Sequence, residues 1–278
     1  MNKNVRNIII FGLVSFGCGF AGNAINDLVG ASEPMESLGV LIWLVSPLLA
    51  NLLLRAFGGD GWKDLGIGLK LKTGWRWYLA ALIIPTLFSL ILFMFSWLTG
   101  SADLHGFFAS GLAAFAGLLI SNFMGSMVKN IFEEFAWRGY LASRLENLGS
   151  RPFFNSLITG LIWVSWHIPY YLFFLNRADL ERQTTLSIPA LILLGYILMS
   201  CQSLLYNELR LISGSVWPAW LLHTAANAFS FALVTGGFVA VSGKLTHLIF
   251  TPGTEGILYS ILAGLVGWAL HRRRMKTA

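Results

Sequence analysis

The sequence predicts an all-α, polytopic membrane helix bundle, and three observations carry that prediction. Hydrophobic residues make up 56% of the 278-residue chain and charged residues only 12%, against about a quarter charged in ordinary soluble domains. The apolar residues fall in runs of bilayer length, since ~30 Å of hydrocarbon takes ~20 helical residues. The basic residues collect at the ends of those runs.

About eight transmembrane helices follow in order, at 7–26, 38–57, 77–98, 107–132, 153–175, 187–206, 214–235 and 256–271. Lipid leaves no backbone group unpaired, which selects helices, and the runs are too long for barrel strands. The basic N-terminal stretch before the first run lacks a convincing small-residue cleavage site, so that run reads as a span and not a signal peptide. No hydrophilic stretch could make a separate soluble domain. Residues 1–278 therefore read as one membrane domain: three N-terminal spans over 1–105, a four-helix core over 106–235, and an outer loop with the last span over 236–278. The outer loop around Phe238–Gly243 and Leu245–Gly253 is expected to dip into the interface. Cys18 and Cys201 both lie in apolar runs and give neither a disulfide framework nor a metal spacing.

Sidedness follows from charge. With the N-terminus inside, the inner segments hold Lys3 and Arg6, the five basic residues from Arg55 to Arg76, Arg144, Arg151, Arg210 and four in the tail from Arg272 to Lys276. That is fourteen, against Arg177, Arg182 and Lys244 outside. The positive-inside rule then puts both termini in the cytoplasm, in a plasma-membrane protein. The net charge of +6 is thus accounted for by topology, and no nucleic acid is implied. The lipid bilayer is the partner that composition specifies; nothing in it sets an oligomeric state.

Six polar residues stand out in the spans: Glu133, Glu134, Arg138, His167, His223 and Asn227. Such groups normally face a bundle interior or a wet cavity. Adjacent helical residues point ~100° apart, so Glu133 and Glu134 cannot share a direction. Glu134 and Arg138 are spaced i,i+4 with the acid first, the favourable order for an ion pair. Glu133 has Trp137 at i+4 and no basic partner nearby, which leaves it as the general base. Trp163 and His167 share a face of the fifth span, where Pro169 should perturb the helix. His223 and Asn227, again at i,i+4, can both donate to one oxygen, the requirement of an oxyanion site. His105, His247 and His271 fall in loops or the tail and receive no role. Taken singly, each feature has a structural reading as an ion pair, an interhelical hydrogen bond or a core aromatic. Taken together, they make a water-activating set on three helices.

Counted from the outer end of the fourth span, Glu133 lies ~39 Å along, whereas His223 is ~15 Å from its inner end. The fourth helix must then be long or tilted, or begin outside the hydrocarbon, with the site in a cytoplasm-facing cavity in the inner half of the bilayer.

The segments "EEFAWR" (Glu133, Glu134, Arg138), "WVSWH" (Trp163, His167) and "HTAAN" (His223, Asn227) resemble, in that order, the motifs of the CAAX prenyl endopeptidase and bacteriocin-processing (CPBP, or Abi) intramembrane proteases. The resemblance covers roughly residues 122 to 231, and departs from the family pattern at Trp163, where Phe is commoner. It implies a catalytic core of four helices that hydrolyses peptide bonds of membrane-embedded, membrane-associated or lipidated protein and peptide substrates. Glu133 and His167 would activate a water, and His223 with Asn227 would hold the oxyanion. Two cofactor readings stay open: a divalent metal, zinc, on Glu133, His167 and His223, or metal-independent activation by the glutamate. Two alternative functions are a non-catalytic CPBP-type scaffold or bacteriocin-immunity protein, and a transporter with Glu133 as its ion site; the transporter would favour inverted repeats that the chain does not show.

Overall fold

A computed structural model describes residues 2–149, 151–251 and 256–277. It is an all-α bundle apart from one two-stranded ribbon. The helices are α1 (Lys3–Val29), α2 (Leu38–Ala56), α3 (Leu71–Leu98), α4 (His105–Ala136), α5 (Ala142–Glu146), α6 (Pro152–Pro169), α7 (Arg177–Gln183), α8 (Ile188–Ser213), α9 (Trp217–Ser230), α10 (Lys244–Phe250) and α11 (Ile257–Thr277).

Local chemistry sets several of the ends. Ser37 caps α2 by accepting from the Val40 amide at 3.3 Å. Pro152 and Pro218 sit in the first turns of α6 and α9, where a missing N–H costs nothing. Gly30 closes α1 at φ 65° and Gly214 closes α8 at φ 62°, both in the left-handed region.

Among the described residues, six helical segments are long and apolar enough to cross a membrane: the first three helices, His105–Glu146, Pro152–Phe174 and Ile188–Ser213. The seventh and eighth expected spans do not reach that standard. The seventh corresponds to α9, only 14 residues before its helix changes register. The eighth is α11, whose last turns are loaded with Arg272, Arg273 and Arg274. The long fourth helix that the depth of Glu133 demanded is present: His105–Glu146 runs 42 residues, about 60 Å at 1.5 Å per residue. It is not uniform, because Gly111 breaks the α-helical path at φ 81°, a conformation that favours glycine.

The ends of the bundle are sorted as the expected alternation requires. At one end the loop between α2 and α3 meets the others: Lys3 Nζ donates to Gly59 O (2.6 Å), the Val216 amide to Gly66 O (2.9 Å), and Trp217 Nε1 to Ile67 O (2.7 Å). The tail joins the same end through Arg274 on Glu146 (2.8 Å) and Glu208 (2.8 Å). Both chain ends therefore lie at one end of the bundle. At the other end β1 (Ala102–Asp103) pairs antiparallel with β2 (Ala240–Val241), and Arg182 reaches Thr235 O at 3.4 Å. The loop expected to dip into the interface forms β2 and α10; its residues 252–255 lie outside the described residues.

Two buried clusters fill the bundle. One gathers Phe11, Trp43, Trp137, Tyr140, Trp163 and Trp166 from α1, α2, α6 and the end of the fourth helix. The other gathers Phe88, Leu92, Tyr206, Leu209, Leu222 and Tyr259 from α3, α8, α9 and α11. Trp43 and Trp166 join α2 to α6 reciprocally: their rings stack at 4.0 Å, and each indole N–H donates to the other's carbonyl, at 2.8 and 3.0 Å. Gly160 lets α6 close on α8, since a Cβ there would fall 2.6 Å from Ser200 Cα.

Asp64 ties the charged end together. Its carboxylate accepts from Arg55 at 2.7 Å and from Asn147 at 3.1 Å, and it also pairs with Arg144. Partial burial alone would raise its proton affinity, but hydrogen bonds and charge from Arg55 and Arg144 prevail and hold the carboxyl below its ordinary value. A depressed carboxyl contributes stability at neutral pH that is lost as pH falls through its folded-state value. Asp64→Asn is therefore expected to lower the unfolding temperature in detergent at pH 7. The gap from wild type should close as pH falls below the carboxylate range, and a pH-independent gap would contradict the ion-pair account.

Candidate active site

The expected residues come together at the seam between the two clusters. Arg138 is the centre of the arrangement and is fully buried. Its Nη1 donates to Glu134 Oε1 at 2.9 Å, as the i,i+4 spacing predicts. Its guanidinium carbon lies 4.4 Å from the Trp163 ring centroid and 4.5 Å from that of Tyr206. A charge this deep is tolerated because an anion and two aromatic faces replace water. Tyr206, on the motif-free helix α8, is a site residue that sequence reasoning missed.

Glu134 Oε1 also receives His223 Nδ1 at 2.8 Å. A carboxylate held by Arg138 only accepts, so His223 carries a proton on Nδ1 and, when neutral, offers Nε2 as an acceptor. His167 is oriented alike, with Nδ1 donating to the Trp163 carbonyl at 2.9 Å. Nε2 can donate only from the imidazolium, which Glu134 is placed to stabilise.

Glu133 is not without a basic partner, contrary to expectation. Lys129, one turn earlier, meets its Oε1 at 2.8 Å, and Trp163 Nε1 donates to its Oε2 at 3.1 Å. The Lys-x-x-x-Glu spacing of Lys129 and Glu133 is visible in the sequence. Glu133 itself is 2% exposed, whereas the Lys129 side chain is 40% exposed. Asn227 donates to Asn130 Oδ1 at 3.3 Å, and Asn130 in turn to Thr224 at 3.4 Å. Asn130, three residues before Glu133, is a second residue that the sequence reading omitted.

The short inventory of deep polar residues was also incomplete. Glu208 is buried and accepts from His271 (3.0 Å) and Arg274 (2.8 Å), so His271 has a structural role that its place in the tail concealed.

Lys129, Trp163, His167, Tyr206, His223 and Asn227 line one cavity of about 650 Å³, with Glu133 directly behind Lys129 and Trp163. Each motif helix turns from α to π geometry within about a turn of its functional residues, at Trp137–Leu141, Tyr170–Phe174 and Phe231–Thr235. Pro169 supplies the cause on α6, since it has no amide to continue the ladder. Such π turns occur often at functional sites.

Among the described residues no three His, Cys, Asp or Glu side chains converge as a metal-binding group. In this arrangement Glu133 is engaged by Lys129 and Trp163, and His223 Nδ1 by Glu134. As they stand, these donors do not fit a metal cage.

Fold and site together define a polytopic helical membrane protein with a buried acid–imidazole centre. Residues 115–229, which include all three motifs, match the family model described as Type II CAAX prenyl endopeptidase Rce1-like. That segment is therefore similar to the CAAX-type endopeptidases, a family of intramembrane proteases. No curated protein matches the chain.

Removing one partner from a buried ion pair leaves an uncompensated charge and costs ~3–5 kcal/mol. Arg138→Met should lower stability by about that amount, read as thermal unfolding in detergent. Adding Glu134→Gln should restore part of the loss. Additive losses in the double variant would contradict a coupled pair.

Proposed function

We propose that the chain is an intramembrane endopeptidase in which Glu133 and His167 activate a water for attack on a peptide carbonyl. The observation that carries this reading is the orientation of the two imidazoles. Both have Nδ1 tied to an acceptor of the protein, and both belong to the wall of the cavity beside Glu133. Glu133 takes the water proton as the hydroxide adds to the carbonyl carbon. The tetrahedral oxyanion is held by the Asn227 amide, whose other hydrogen bonds Asn130, and by His223 as an imidazolium, a cation paired with the Glu134 carboxylate. Collapse of the intermediate passes the proton from Glu133 to the departing amine, so no net proton is consumed in the two steps. Lys129 screens the Glu133 carboxylate at rest and must shift for water to reach it.

Positioned acid–base groups contribute ~10²–10⁴-fold. Purified Glu133→Gln should therefore lose at least ~100-fold of wild-type cleavage of a quenched fluorescent peptide library in detergent. Activity that survives a chelator supports the glutamate-activated water; activity lost to it would require a metal. Equal cleavage by wild type and Glu133→Gln would instead favour the non-catalytic scaffold reading.

A further inference from the structure

Beyond the site, the lining of the cavity extends toward one end of the bundle only. Its wall runs from Lys129 and His223 past Ser126, two helical turns before Glu133, to Met35, Gln183 and Thr235. Met35 lies in the turn between α1 and α2, Gln183 ends α7, and Thr235 lies beside Arg182 at the end that holds the β1–β2 ribbon. Among the described residues, none of the lining comes from the opposite end, the one with Asp64 and both termini. That end is sealed. Arg55 is buried there and donates to Gly139 O at 2.6 Å, Tyr140 donates to Asp60 at 2.7 Å, and Trp137, Tyr140 and Leu141 have no exposure at all.

The positive-inside count places the sealed end in the cytoplasm, since fourteen basic residues flank it against three at the open end. Cavity direction and charge asymmetry are independent observations, and they combine simply. We infer that the cavity opens on the extracytoplasmic side, so that the substrate is a membrane-anchored or secreted polypeptide presenting its scissile bond from that face. The substrate half of this inference rests on the endopeptidase reading; the access half does not. A volume of about 650 Å³ accepts a few extended residues. It reaches the site without crossing the sealed layer, so a cytoplasmic protein with a lipidated C-terminus has no route to Glu133.

Single cysteines test this in the full-length chain. Met35→Cys, with Gln183→Cys as its duplicate, reports the rim; Ser126→Cys reports the cavity; Lys63→Cys reports the sealed end. Each is exposed to a membrane-impermeant maleimide in right-side-out and inside-out vesicles, with wild type as the background for Cys18 and Cys201. Rim and cavity cysteines should label in right-side-out vesicles and Lys63→Cys only in inside-out ones. Labelling of the rim only in inside-out vesicles would overturn the orientation. A labelled rim with Ser126→Cys protected from that side would overturn the access route. The reagent should also abolish peptide cleavage by Ser126→Cys but not by wild type. Labelling is read without substrate, so a wild-type chain that cleaves nothing defeats the endopeptidase reading while leaving the access result intact.

Discussion

One buried cation organises the site. Arg138 has no exposure to water, and its charge is balanced by Glu134 and by the faces of Trp163 and Tyr206. Those partners come from α4, α6 and α8, and Glu134 carries the connection on to His223 of α9. Four helices are thus registered by a group that cannot be left unpaired in an apolar interior. Hydrophobic packing alone is non-directional and would tolerate small slides between helices. The ion pair and the two ring contacts do not.

That registration has a chemical consequence. Because Glu134 is an acceptor held by Arg138, it dictates the tautomer of His223. The Trp163 carbonyl does the same for His167, while the Trp163 indole reaches Glu133. Trp163 is therefore wired to Glu133, Arg138 and His167 at once. A Phe in its place would keep the ring face but lose the indole donor. The reciprocal Trp43–Trp166 pair, one residue before His167, fixes the same stretch of α6 from its other side.

Much of this was legible in the sequence, and the misses share a cause. The apolar runs, the i,i+4 pair of Glu134 with Arg138, and the grouping of Glu133, His167, His223 and Asn227 all follow from spacing along single helices. Tyr206 and the Glu208–His271 contact join different helices with no local signature, so only packing reveals them. Lys129 and Asn130 had a signal, because both lie within a turn of Glu133, but a residue near a span boundary is easily assigned to the interface. The seventh and eighth expected spans fall below a simple length-and-hydropathy standard because α9 changes register after Ser230 and α11 ends in arginines. The direction of the cavity depends on which end of the bundle is plugged, a property of side chains that meet from α2, the loop after it and the π turn that ends the fourth helix.

The most direct test of the account is ¹⁵N NMR of histidine-labelled protein, with His223→Asn and His167→Asn used to assign the two site imidazoles. The account predicts that both rings carry a proton on Nδ1, with Nε2 bare at His167 and either bare or, in the imidazolium, protonated at His223. A neutral ring protonated on Nε2 at either position would contradict it, because neither Glu134 nor the Trp163 carbonyl could then be holding that imidazole toward the cavity.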